Sequence, residues 1–506
     1  RGIVGTRSRL PVARGRTAFA RLGLPDEFPP LRNVREFDGS LRAVIADDST
    51  LLREGLTRLL EEYARKDARI RFRQLPANVG IARATNAALA DCQGEYVAFV
   101  DHDDRLAPHA LAEVVLRFAA EPTLDWVYSD EDRIDAQGQR FNPFFKPDWS
   151  PELLRACNYI CHFVAVRRAA LRAVGGLREG FEGSQDYDFL LRLCEHSPRV
   201  GHIPRILYHW RYSPLSLSYD NGKLQAASRA GRQALAEHLE RTGARADAVD
   251  LGSTSYRVRY RIEGTPLVSI IVPFKDKPEL LKMLVTSLFR YTRYENLELL
   301  LISNNSTQPE TFALLETLTD PRIRHLTWDQ PFNYSAINNF GVQHSTGELL
   351  LFLNNDIEVI EEGWLEELVG QVQRPEVGVV GPRLLYPNGT LQHAGVVLGQ
   401  QGFAGHAFAG LPPQASTAQG RADWTRNYLA VTGACLIMRR DVFTRIGGYD
   451  ESFIVCGSDV ELCLRAVRHG LRVVYTPHST LIHHESVTRK ADAIPENDFW
   501  RSFVAY

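Results

Sequence analysis

Aspartates cluster at two places in this chain, and each cluster closes an apolar run of strand length: GEYVAFVDHDD over 94–104 and GELLLFLNNDI over 347–357. Carboxylates at the end of a buried strand are costly unless a cation or a ligand compensates them. Beyond each cluster come a Gly-Gly pair and then a further aspartate opening a helical pattern. These are Asp186 within RRAALRAVGGLREGFEGSQDYDFLLRL (167–193) and Asp459 within RRDVFTRIGGYDESFIVCGSDVELCLRA (439–466). The order is the same in both halves, so the chain reads as two copies of one plan. Asp101 and Asp103 form a D-x-D pair that could hold a hard divalent cation, Mg2+ or Mn2+, through oxygen. A helix N-cap is the plain alternative, but one cap does not need three acids. The second copy offers Asn354, Asn355 and Asp356. One carboxylate still allows a magnesium-type site, which often takes only one or two plus substrate phosphates. Asp186 and Asp459 also read as N-caps, and an anchored carboxylate of this kind is expected to have a fixed direction and a low pKa.

The elements that must carry these acids are legible around them. PLVSIIVPF (266–274) is a continuous apolar run of the kind that forms a strand buried on both faces of a parallel sheet. ELLKMLVTSLFRY follows with helical periodicity, then LELLLISNNS as a second buried strand, which makes a β-α-β unit with polar residues at its carboxyl ends. In the first copy LRAVIADDS (41–49) matches LELLLISNNS, yet nothing in 1–39 matches VSIIVPF followed by a long amphipathic helix. Pro25, Pro29 and Pro30 suggest an irregular arm instead. The stretch RAVIADDSTLLREGLTRLLEE also looks like the opening of a response-regulator receiver domain, but the chain continues with a different pattern.

A length of 506 residues suits two domains of roughly 200 to 250 residues. Hydrophobic content of 44%, charged content of 24% and a net charge of -2 describe a globular protein with no global pull toward nucleic acid or anionic membrane. Seven cysteines without a CxxC pair fit reduced thiols in a cytoplasmic protein and give no zinc signature. No apolar run approaches the roughly 18 to 20 residues of a membrane span. The first residue is Arg and the N-terminal stretch is basic without a secretion signal, so the chain is read as a fragment.

With these blocks in order, both copies resemble inverting glycosyltransferases of family 2, in the tandem arrangement of bacterial enzymes that build cell-surface polysaccharides. The resemblance covers roughly residues 42–489. It implies an α/β fold of two tandem GT-A domains, which are Rossmann-like nucleotide-diphospho-sugar transferase domains, the first lacking its opening β-α element. The expected division is an arm over 1–40, a first domain over 41–250, a linker over 251–264 and a second domain over 265–506. The resemblance also implies metal-dependent transfer of a hexosyl or rhamnosyl group from a nucleotide-diphosphate sugar to a glycan or lipid-linked glycan. The setting it implies is cytoplasmic, with peripheral contact at the inner membrane through the acceptor and no nucleic-acid partner.

By the same resemblance Asp186 and Asp459 are the catalytic bases, and Asp101, Asp103 and His209 or Asp356 and His484 hold the metal, with His483 competing for the last place. Asp47, Asp48, Arg83, Pro273, Asn304 and Asn355 are the nucleotide-side residues. Arg83 lies in the block N-x-G-x-x-R-x-x-N (78–86), whose counterpart NYSAINN (333–339) lacks the arginine. Trp149, Tyr386 and His393 in the connecting blocks are the acceptor-side residues, since sugar C–H groups pack on aromatic faces. The rival readings are a non-catalytic nucleotide-sugar or glycan binder with one or both copies degenerate, and a nucleotidyl transferase on a related fold.

Overall fold

In the second half the three apolar runs form neighbouring strands of one ten-stranded sheet. Val268–Phe274 lies parallel between Leu297–Asn304 and Leu349–Leu353, and nearly every residue of the three is buried, as a strand covered on both faces requires. The helix Pro278–Tyr291 starts with proline in its first turn and lays Leu281, Leu284, Val285 and Leu288 onto this sheet. Beyond Leu349–Leu353 the sheet continues through Cys435–Arg439, Val377–Leu385, Arg472–His483 and Ile357–Val359.

The first half repeats that order from the acidic strand onward: Tyr96–Ala98, Val164–Arg167, Trp126–Ile134, Val200–Arg211, Arg105–Leu106. The register repeats too, with Tyr96 opposite Arg167 where the second half sets Leu349 opposite Arg439. The parallel pair Ala43–Ile45 and Ile70–Phe72 stands apart from this sheet. Among the described residues no strand joins it to Tyr96–Ala98, whereas Val268–Phe274 makes that connection in the second half. The computed structural model describes residues 43–45, 53–75, 77–212, 221–400, 404–484 and 496–505. The expected arm over 1–40 and the acids Asp47 and Asp48 lie outside them.

From Arg42 onward the chain clusters as one unit. The stretch expected as a linker includes the strand Ser255–Tyr260, which hairpins with Ala246–Gly252. Its Tyr256 enters the first half's core, while Arg257 reaches Glu367 of the second half at 2.7 Å. Across the same junction buried Glu152 meets Arg374 at 2.8 Å, and the Phe145 amide donates to the Ala418 carbonyl at 2.7 Å.

Candidate functional site

The strand Tyr96–Ala98 delivers Asp101 to the sheet's carboxyl edge, where it stays exposed. Asp104 is turned inward: its carboxylate accepts from the Tyr208 hydroxyl and, at 2.7 Å, from the Arg211 amide. Asp101, Asp104 and His162 bring one ligand atom each to within 4.8 Å of one another. The set is carboxylate oxygen plus one imidazole, a chemistry suited to a divalent cation that keeps further places for phosphate oxygens. The Asp103 carboxylate is not part of this cluster, although its backbone carbonyl accepts from Arg211 Nε at 2.6 Å.

Behind the acids stands a buried polar chain that the sequence reading did not single out. His162 Nδ1 lies 3.3 Å from both carboxylate oxygens of Glu131, and Glu131 accepts from Lys146 Nζ at 2.8 Å. Lys146 also donates to the Ile160 carbonyl at 2.6 Å. Burial alone would raise the Glu131 carboxyl, but Lys146 and His162 outweigh it and hold the group at about 2. His209 sits elsewhere: it is buried, and its Nδ1 lies 2.5 Å from the Asp132 carboxylate.

Asp186 opens the helix Gln185–His196 and faces this cluster, near enough to Asp101 and His162 to feel both charges. Its carboxylate accepts from Asn158 Nδ2 at 2.8 Å. The low pKa expected of an anchored N-terminal acid is reversed, because burial dominates and the repulsion from Asp101 adds to it.

In the second half Leu349–Leu353 delivers Asp356, only 4% exposed, to the equivalent edge. His483 Nε2 lies 3.0 Å from its carboxylate, and His483 Nδ1 lies 2.7 Å from Gln392 Oε1. His484 points the other way, to Glu358 at 2.9 Å. Neighbouring residues of a strand face opposite sides, so only one of the two histidines can reach the acid. Asn355 keeps a buried side-chain nitrogen with no partner among the described residues. An orphaned donor at a strand end fits an anionic ligand such as a diphosphate. Asp459 accepts from the Gly433 amide at 2.7 Å, and the next residue, Ala434, accepts from the Asn354 amide at 2.9 Å.

A clamp repeated in both halves fixes each Gly-Gly turn beside its base. Asn86 donates to and accepts from the backbone of Leu177 at 2.8 and 2.9 Å, and Asn339 does the same with Tyr449 at 2.9 and 3.0 Å. A Cβ on Gly176 would meet Asn86 Oδ1 at 2.0 Å, which is why glycine stands there. On the other side Arg192 ties Asp188 to the carbonyls of Val174 and Gly176, and Arg465 ties Glu461 to those of Ile446 and Gly448.

The remaining sequence-derived residues spread out. Arg83 pairs with Glu179 at 2.6 Å, both side chains exposed. Asn304 is buried and donates to the carbonyls of Trp328 and Gln330, and Pro273 is half-buried near the end of Val268–Phe274. Trp149 packs edge-on against Trp126 with centroids 5.6 Å apart. Tyr386 is half-buried in the turn that ends with Thr390. His393 is enclosed, bridging the Pro382 carbonyl and the Thr432 amide, and burial pushes its pKa well below the usual imidazole range. It is a neutral structural link in the geometry seen here, not an exposed sugar platform.

The family described as "Glycosyl transferase family 2" matches residues 31–175 and 269–447, one segment in each half. The "O-antigen biosynthesis protein RfbC" of Myxococcus xanthus is 56% identical over 452 residues, covering 89% of this chain and 36% of that protein. "Uncharacterized protein y4gI" of Sinorhizobium fredii is 43% identical over 460 residues, covering 89% and 50% respectively. The "Chondroitin synthase" of Escherichia coli is 31% identical over 170 residues, 33% of this chain and 24% of that one. The chain thus spans between about a third and a half of the length of the first two relatives.

Proposed function

The chain belongs to glycosyl transferase family 2, and from that premise we propose that each half is a GT-A site binding a nucleotide-diphosphate sugar at its strand ends. The sugar passes, with inversion, to a glycan acceptor in the synthesis of a bacterial surface polysaccharide. The supporting observation is that each half sets one candidate base, Asp186 or Asp459, on the sheet edge that carries its own acid, Asp101 or Asp356. Similarity to an O-antigen biosynthesis protein supports the setting. A hexosyl or rhamnosyl donor and a lipid-linked acceptor at the inner membrane, met from the cytoplasm, belong to the same proposal. No helix among the described residues is long and apolar enough to cross a membrane.

In this reading the acceptor hydroxyl gives its proton to Asp186 or Asp459 as its oxygen bonds to the sugar's anomeric carbon. The bond from that carbon to the diphosphate breaks on the opposite face. Asn158 and the Gly433 amide hold the two carboxylates in direction. Asn355 offers its free donor to the departing diphosphate. Asp101 and Asp356 would hold Mg2+ or Mn2+, which when bound neutralises negative charge developing on that leaving group. The raised pKa of Asp186 makes it a stronger base than a solvated aspartate.

A thermal-shift screen of nucleotide-diphosphate sugars with and without Mn2+ tests the binding half of the proposal. A ligand at 100 times its Kd stabilises the folded chain by about 2.7 kcal/mol, so the expected result is a clear rise in Tm for one donor class that depends on the cation. Equal melting with every donor would refute it.

A further inference from the structure

The histidine beside the acid comes from different parts of the fold in the two halves. In the second half it is His483, on the last long strand, opposite Ile357. The first half pairs Arg105 with His209 and Leu106 with Tyr208, while the second pairs Glu358 with Ile482 and Val359 with Leu481. Because Tyr96 and Leu349 are register equivalents, Arg105 matches Glu358, so His209 matches Ile482 and the match to His483 is Trp210. The first half therefore has Trp210, and no histidine, at the position of His483.

Its place is filled from the bend that leads into Val164–Arg167, the strand paired with Tyr96–Ala98. His162 comes five residues before Arg167, where the second half has Ala434 five residues before Arg439. The imidazole stacks 5.1 Å from the Trp210 ring and 5.1 Å from the Tyr208 ring, over the position that a histidine on the last strand would occupy. We propose that His162, and not His209, is the imidazole ligand of a divalent-cation site in the first half, completed by Asp101 and Asp104. This rests on reading the first half as a nucleotide-sugar site.

The second observation is the group behind the ring. Nδ1 faces Glu131, itself fixed by buried Lys146, so Nδ1 carries the proton and the Nε2 lone pair is left for the side where Asp101 and Asp104 lie. A carboxylate behind the histidine sets the tautomer in this way at metal centres. His209 also has a carboxylate behind its Nδ1, that of Asp132, but its ring lies outside the cluster of Asp101 and Asp104. One nitrogen in the set also favours Mn2+ over Mg2+.

The test uses the full chain carrying Asp356→Ala and His483→Ala, which leaves only the first half's site, with Mn2+ alone as the probe. Electron spin-echo envelope spectroscopy of bound Mn2+ is expected to show coupling to one imidazole nitrogen. His162→Ala removes that coupling and weakens Mn2+ binding at least tenfold, Glu131→Gln weakens it by about 10- to 100-fold, and His209→Ala leaves both readouts unchanged. Nitrogen coupling that persists in His162→Ala and vanishes in His209→Ala overturns the ligand assignment and leaves the proposed function standing. Absence of Mn2+ binding in the unsubstituted chain overturns the metal-dependent reading itself and the assignment with it.

Discussion

Asp186 and Asp459 hold matched places but not matched surroundings. Asp459 accepts from the amides of Gly433 and Val460, whereas Asp186 is half-buried, accepts from Asn158 and feels Asp101. A protonated carboxyl cannot accept the acceptor's proton, so activity from the first half should rise with pH through the Asp186 pKa. With the second base removed by Asp459→Asn, the acid limb of kcat/KM is expected above about 4, the value of a solvated aspartate. Asn158→Ala removes a donor to the charged form and should move that limb higher. A limb below about 4 in both proteins would count against Asp186 as the base. At this scale the sequence shows the acids readily, because they interrupt apolar runs. It does not show His162, a lone histidine in the apolar block NYICHFVAV, nor which of His483 and His484 faces inward, since strand parity depends on pairing with Ile357.

The elements that aim the bases are held by side chains far away in sequence. Asp498, fully buried on the helix Glu496–Ala505, accepts from the amides of Ile454, Val455 and Cys456, just before the helix Ser458–Arg468 that carries Asp459. Replacing it by Ala leaves these partly buried donors to water, which costs less than the roughly 1–3 kcal/mol of a fully buried unmet group. We expect Asp498→Ala to lose a few kcal/mol at most in urea unfolding and to lower kcat of the second half alone. Equal loss from both halves would point to general destabilisation instead. The N-x-G-x-x-R-x-x-N block is visible in the sequence, yet the two-point clamp of its last asparagine on Leu177 is not. Local pattern marks a helix start, whereas the clamp appears only when residues 86 and 177 meet.

Over the whole molecule the repeat follows from patterning alone, and the described residues show it from the acidic strand onward in each half. The junction between the halves is different in kind. It depends on Glu152, 2% exposed, meeting Arg155, Arg374 and Arg472, charges that look like ordinary surface residues in sequence. Burial would raise the Glu152 carboxyl, but the arginines outweigh it and hold the group at about 2, against 4.5 unperturbed. A depressed carboxyl contributes its stability above the unfolded pKa and loses it as pH falls through the folded one, so the Glu152 contribution should fade between about pH 4.5 and 2. Arg374→Ala should destabilise the neutral-pH protein by up to about 3–5 kcal/mol and flatten this acid dependence. Urea midpoints across that pH range measure both. A variant as stable as the parent at pH 7 would show that the junction does not depend on this pair.

The proposed function places two base-assisted transfer sites in one chain. Its most direct measurement is nucleoside-diphosphate release from the donor found by the binding screen, with acceptor and Mn2+ present, for the parent, Asp186→Asn, Asp459→Asn and the double variant. Each single variant should lose only its own half's share, and the double variant should fall by about 10²–10⁴-fold with donor binding retained. Undiminished turnover in the double variant would show that neither aspartate is the base.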